Sequence, residues 1–342
     1  MRTLNKPSTA KCTLEHYTAF LLAEAQSAGC VRLSEVSGGE FAHDAVNRFL
    51  NREAYSARDL FEAACPLIAL EGGILSVDDT ILDKPYSTEG KTDLVGYFWS
   101  GLHGRAVKGL CLVTLFYADG RGIRVPVSFR VVDKAEGKTK NELFREMVEE
   151  VLGWGLRPAV VSADSWYSGL ENLKFLRKKE LGFLIALEKN RIVSARPHEY
   201  VPVETLELPA NGKVIHLREF GFVSVFRTVD KNNAVRHYAQ YGPTKKKRMK
   251  VAHGYFRHVH RQHWGVECYH RALKQLCHAE RFFVRWKHAI RNHVFCALRA
   301  FLQLEDKRSR GLISSWYEFK RHFADQAVTN FIRQAVTNPH GA

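Results

Sequence analysis

Two short apolar runs in this chain end in carboxylates. Ile74-Leu-Ser-Val77 leads into Asp78-Asp79-Thr80, and Pro158-Ala-Val-Val-Ser-Ala163 leads into Asp164. Runs of this length and content read as buried strands. Aspartate is depleted in strands and costly to bury without a partner, so acids at the ends of two such runs need a reason. In α/β sheets, ligands bind at the carboxyl ends of strands. Two carboxylates held close together repel unless a proton or cation lies between them, and hard oxygen donors suit magnesium or manganese better than zinc. The chemistry expected of such a pair is two-metal catalysis on a phosphodiester. An Asp-Asp-Thr turn that merely leaves the strand is the rival reading of the first run. Alternation along the strand does not choose between Asp78 and Asp79.

A third acid, Glu267, lies on a helix expected over 256–276. Taken at 100° per residue, Trp264, Val266, Cys268, Tyr269, Ala272, Leu273 and Leu276 form its apolar arc. Glu267, Arg271 and Lys274 lie opposite. From periodicity alone, Glu267 is more readily a surface acid paired with Arg271 at i+4 than a site residue.

The elements that must position these acids come in a telling order. Residues 13–70 read as helical, and a strand then ends at Asp78. A hairpin follows over 106–117 and 123–132, where Pro126 places the return strand at an edge. Next come a helix over 140–152, the strand ending at Asp164, a helix over 168–181 and a strand over 182–187. This is the order of an RNase H-like fold, an α/β mixed sheet flanked by helices in which the ends of the first and fourth strands are neighbours. Five segments are expected: a helical N-terminal domain over 1–70, open to a DNA-end-binding role; the first part of the core over 71–187; a β-rich insertion over 188–250; the helical second part of the core over 251–306; and a helical tail over 307–342.

Charge points to the partner. The 342 residues carry 51 Lys and Arg against 36 Asp and Glu, a net +15, which favours a polyanion. Between Pro243 and Arg299 stand 14 Lys and Arg against Glu267 and Glu280 alone, whereas 1–70 has 7 against 8 acids. Lys245, Lys246, Lys247, Arg248, His263, Arg271, Lys274, Arg285 and Lys287 are therefore the candidate DNA contacts. The seven cysteines are odd in number and lack a C-x-x-C pair, which fits a reduced, cytoplasmic compartment. Neither a secretory signal nor a membrane span is expected.

Three stretches of the sequence resemble the DDE transposases of bacterial insertion sequences, the type-four insertion-sequence group and its relatives. They are Val77-Asp78-Asp79-Thr80, Val161-Ser-Ala-Asp164-Ser-Trp-Tyr167, and Trp264-Gly-Val-Glu267 with Lys274 seven residues on. The resemblance covers roughly 72–305 and includes a β-rich insertion before the last catalytic helix. It implies that Asp78, Asp164 and Glu267 are the catalytic metal ligands for two Mg2+ (or Mn2+) ions. It also implies that Lys274 contacts a transposon-end phosphate. The Asp-x-Thr spacing of that family selects Asp78 over Asp79. Where the family has Tyr and Arg upstream of the Glu, this chain has His260 and His263. Some relatives stack a flipped base on a Trp of the insertion, but no Trp occurs here between Tyr167 and Trp264. The implied activity is cleavage at terminal inverted repeats and transfer of the 3′-hydroxyl to target double-stranded DNA, by a chain that dimerises to pair two ends. Three other readings remain open. They are an inactive DNA-binding relative, a nuclease that cuts without joining, and a zinc enzyme using His263, Glu267 and His270.

Overall fold

A computed structural model of the chain describes residues 11–25, 27–88, 90–101, 103–196, 198–230, 233–242 and 253–337. Helices α1 (Leu14–Ala23), α2 (Cys30–Val36), α3 (His43–Arg52) and α4 (Ala57–Ala64) come first. Strands β1 (Ile74–Asp83), β2 (Gly96–Ser100), β3 (Arg105–Ala118) and β4 (Arg124–Val131) follow, then α5 (Lys140–Gly153), β5 (Val160–Ala163), α6 (Leu170–Lys178) and β6 (Gly182–Leu187). Five more strands are β7 (Ile192–Arg196), β8 (Glu199–Pro202), β9 (Lys213–Leu217), β10 (Gly221–Val229) and β11 (Val235–Tyr241). The chain closes with α7 (His253–Leu276), α8 (Lys287–Ser309) and α9 (Trp316–Thr337). No helix among the described residues is long and apolar enough to cross a membrane.

The expected mixed α/β sheet is present, with eleven strands in the order β2-β3-β1-β5-β6-β11-β10-β9-β7-β8 and β4 on β3. As Pro126 implied, β4 is bonded to β3 alone. One expectation needs correcting. The first strand does not stop at Asp78 but runs on to Asp83, because Ile81 and Leu82 beyond the acids are buried again. The aromatic stretch Tyr97-Phe98-Trp99 lies in strand β2, paired antiparallel with β3 from Gly96↔Gly109 to Ser100↔Arg105. The β-rich region continues the sheet itself, since β11 pairs antiparallel with β6.

The chain divides into two compact units: Met1–Ala63, Ile81–Cys111 and Tyr269–Ala342 in the first, and Ala64–Thr80 with Leu112–Cys268 in the second. In the first, α1 and α3 pack on α8. The α3 pattern buries Ala45, Val46, Phe49 and Leu50 and leaves His43, Asp44, Asn47 and Arg48 outside. Buried Asn292 of α8 ties down the end of α3, donating to the Leu50 carbonyl at 2.7 Å and accepting from Tyr55 N at 3.1 Å. Tyr17 of α1 meets His293 Nδ1 at 2.8 Å.

In the second unit, β1 and β5 run parallel from Ile74↔Val160 to Val77↔Ala163, and β5 and β6 likewise. Phe256 and Val259 of α7 cover one face of this sheet, in a cluster with Ile74, Val160, Leu184, Ala186, Phe226 and Tyr238. Gly73 opens β1 where there is no room for a side chain. A Cβ there would sit 2.4 Å from the Tyr117 ring and 2.5 Å from the Ala118 carbonyl oxygen. Its N–H donates to Tyr117 Oη at 2.9 Å, and that hydroxyl lies 3.1 Å from the Ala69 carbonyl oxygen. Gly73→Ala is therefore expected to destabilise the protein by about 2–3 kcal/mol, measured as a lower denaturant midpoint at unchanged slope.

Candidate active site

The β1–β5 ladder ends at the pair Val77↔Ala163, so Asp78 and Asp164 are the next residue on each strand. In a parallel pair, side chains at matching positions share a face, and the face repeats every second residue. Ser76 and Ser162 mark that face, with their hydroxyl oxygens 2.8 Å apart and both residues buried. One pleat further on, Asp78 and Asp164 belong to it.

Helix α7 supplies the third acid by a matching step. Phe256 and Val259 pack over Ile74 and Val160 at the start of the strands, and His263 Nδ1 lies 3.2 Å from Ser162 Oγ. The helix therefore advances in the same sense as β1 and β5. From the serine layer to the acid layer is two strand residues, about 6.6 Å. From His263 to Glu267 is four helix residues, about 6 Å. Equal advance along the two elements carries Glu267 to the level of Asp78 and Asp164.

The electrostatics agree. Burial pushes the Asp78 carboxyl well above the usual range, and the charges of Asp164, Asp79 and, more weakly, Glu267 push it the same way. Asp164 is raised to about 6, by burial first and then by Asp79, against the pull of Lys140 and of the Trp166 and Tyr167 N–H groups. Its Oδ1 accepts from Trp166 N at 3.0 Å and caps the single turn Ser165–Tyr167.

Asp79 belongs to the opposite face. Its Oδ1 takes the Lys140 ammonium at 2.8 Å and the Tyr167 hydroxyl at 3.1 Å. Lys140 starts α5, directly after the Thr139–Glu142 capping box, and its ammonium also lies 4.1 Å from the centre of the Trp166 ring. The motif around Asp164 contained Tyr167, but nothing in its spacing assigned it a role. Lys140 had no sequence signal beyond its cap.

The acids have the donor chemistry for Mg2+ or Mn2+, all oxygen and all negative, and Asp78 and Asp164 share a face. Among the described residues no three His, Cys, Asp or Glu side chains stand close enough to hold an ion, and that includes the His263, Glu267, His270 set. His263, expected to face DNA, turns instead onto Ser162, and burial and His260 lower it to about 4. His260 likewise turns inward, 3.1 Å from Tyr238 Oη. Trp264, placed in the apolar arc of the helix, is 55% exposed, because the buried stripe runs through Val266, Tyr269, Ala272, Leu273 and Leu276.

The remaining candidate DNA contacts are more dispersed. Lys245, Lys246, Lys247 and Arg248 lie outside the described residues. Lys274 belongs to the first unit, where it donates to the Ile81 carbonyl and lies 3.8 Å from Glu280. Arg271 and Arg285 are exposed, and Lys287 opens α8 with its N–H on Asp93 Oδ2 at 2.7 Å.

Residues 3–223 match the DDE superfamily endonuclease family. Among solved structures, the chain is similar to the piggyBac transposase in its synaptic complex with hairpin DNA, at 12% identity and a TM-score of 0.50 over 96% of this chain and 72% of that one. At that identity, the likeness shows the fold. A Drosophila P element transposase in its strand transfer complex aligns at 13% identity and a TM-score of 0.26, over 56% of this chain and 41% of that one. No curated protein matches the chain.

A raised carboxyl favours the folded state at pH below its unfolded value and loses that contribution as pH climbs through its folded value. For Asp164 the loss runs from about pH 4 to beyond its folded value of about 6. Asp164→Asn, melted at pH 8 in chelator, is thus expected to be more stable than the parent by up to about 3 kcal/mol, with the gap closing below pH 4.

Proposed function

Because this chain belongs to the DDE superfamily of endonucleases, we propose that it is a DNA transposase of the insertion-sequence type, with Asp78, Asp164 and Glu267 as its catalytic acids. What supports the reading is that Asp78 and Asp164 follow matched positions of β1 and β5, and that α7 advances beside them from His263 on Ser162 toward Glu267. The partner is double-stranded DNA, at the terminal inverted repeats of the element and at the target. Two copies of the chain pair two ends, in the cytoplasm. The net charge of +15 supports a polyanionic partner.

The residues divide the work by position. Asp78 and Asp164 bind from the sheet, on strands whose register the buried serine pair fixes. Glu267 closes the site from the helix. Asp78, Asp164 and Glu267 would hold two Mg2+ or Mn2+ ions, which would supply Lewis acidity at the scissile phosphate and neutralise the charge that the acids impose on one another. Lys140, through Asp79, keeps the opposite face of β1 neutralised, so that a slip bringing Asp79 to the site would break an ion pair. Arg271 follows Glu267 by one turn of α7, where a phosphate beside the site would meet its charge. Water attacks phosphorus at the end of the element and the bond to the 3′-oxygen breaks. The freed 3′-hydroxyl then attacks a phosphorus of target DNA, displacing a second 3′-oxygen.

The test uses the full chain with duplexes that carry the inverted repeats flanking its coding region. Asp78→Asn, Asp164→Asn and Glu267→Gln should each lower end cleavage and joining of pre-cut ends by about a thousandfold or more, a loss of about 4 kcal/mol of transition-state stabilisation. DNA binding should persist, and activity should require Mg2+ or Mn2+. Any of the three retaining parental rates would remove that residue from the catalytic set. Cleavage without joining would make the protein a nuclease.

A further inference from the structure

The first unit holds a groove of about 600 Å3 whose walls differ in chemistry. Residues 27–32 and Glu35 contribute to its lining, with the Glu35 carboxylate 3.6 Å from Arg32 Nη1. Of the two remaining walls, one is a single row along α3: His43, Asn47 and Asn51, at i, i+4 and i+8. Asn51 donates to the Asn47 carbonyl at 2.9 Å, so the row is held in place by its own helix. The other wall is the extended segment 281–286, Arg-Phe-Phe-Val-Arg-Trp, which contributes Phe283, Arg285 and Trp286.

Extended backbone alternates its side chains, and here Phe282 turns inward while Arg281, Phe283 and Arg285 turn out. The backbone is fastened along its length. Ala28 N donates to the Arg281 carbonyl at 3.3 Å, Lys84 Nζ to that of Phe282 at 2.7 Å, and Asp93 N to that of Arg285 at 2.8 Å. On this fixed support Phe283 is 70% exposed and Trp286 65%. Phe283 rests beside Gly29, whose missing side chain leaves its ring 3.5 Å from the Cβ position. A second cavity, of about 540 Å3, runs along the other side of the same segment and is lined by Lys84, Tyr86 and Lys91. No acid occurs between Arg281 and Leu304.

Large aromatic rings displayed on a pinned backbone lose little entropy when a flat partner stacks on them. Alternating arginines supply charge for a phosphate chain, and side-chain amides both donate and accept, as base edges do. Inside a closed duplex the faces of the bases are covered, and a ring can stack only on an unpaired base. We propose that this groove binds an unpaired stretch of DNA, with bases stacked on Phe283 and Trp286, base edges read by Asn47 and Asn51, and phosphates met by Arg285. The inference rests on the transposase reading for its polymer, and it gives the helical N-terminal segment a role separate from the acids.

The test is equilibrium binding of the full chain, in chelator, to a fluorescein-labelled oligothymidine and to a blunt duplex of the same length. Without divalent cation no cleavage intervenes, so failure of the acids to catalyse cannot mask the result. Phe283→Ala and Trp286→Ala should each weaken single-strand binding about tenfold or more and leave duplex binding within about twofold. Trp286→Phe should restore most of the loss, and Asp78→Asn should bind the single strand as the parent does. Both alanine substitutions fall at exposed positions, and unchanged melting temperatures will verify that the fold survives. Unaltered oligothymidine binding in both would overturn the proposal. An equal loss for duplex and single strand would also overturn it, and would make the groove a duplex-reading surface.

Discussion

Asp78 and Asp164 are placed by the parallel ladder between β1 and β5, because that ladder decides which side chains share a face. A slip of β1 by one residue would exchange Asp78 for Asp79 and turn Ser76 away from Ser162. Two contacts guard against it. The Ser76–Ser162 hydrogen bond satisfies two buried hydroxyls only in this register. Gly73 fits under Tyr117 and Ala118 where any other residue would collide. The arrangement has an electrostatic cost, since like charges are brought to one level. Asp79, whose charge raises both of its neighbours, is offset by the ammonium of Lys140, while Asp78 and Asp164 repel each other.

Much of this was legible in the sequence, and the rest was hidden for physical reasons. The strands ending in Asp78 and Asp164 were visible because short apolar runs that meet a carboxylate are rare. The continuation of β1 to Asp83 was not, because Asp-Asp-Thr is a local stop signal. The ion pair with Lys140 lies sixty-one residues away in the chain, where no local pattern records it. Strand β2 is not legible in the sequence for a similar reason, since five residues carry little periodicity and pairing with β3 decides their state. Helical spacing placed His263 beside Glu267 without showing that the one grips a serine while the other is exposed.

The basic region also proves more varied than its charge suggests. Lys274 is tied to the Ile81 carbonyl, and Lys84 to that of Phe282 with its ammonium 3.7 Å from the Phe282 ring. Burial lowers Lys84 to about 8. Such lysines hold backbone in place. Among the described residues, Arg257, Arg261, Arg271 and Arg285 are exposed instead.

The distances along the chain between the parts of each site carry a consequence for the ribosome. Asp78 emerges early, but its ladder partner follows only with 160–163, and Glu267 a hundred residues after that. The groove of the first unit is split in the same way, with one wall made by 43–51 and the other by 283–286. A chain growing at about 5–20 residues per second therefore spends most of its synthesis without either site. Both are completed within the same short stretch of translation, from Glu267 to Trp286. A product broken off before that stretch would carry part of each and the whole of neither.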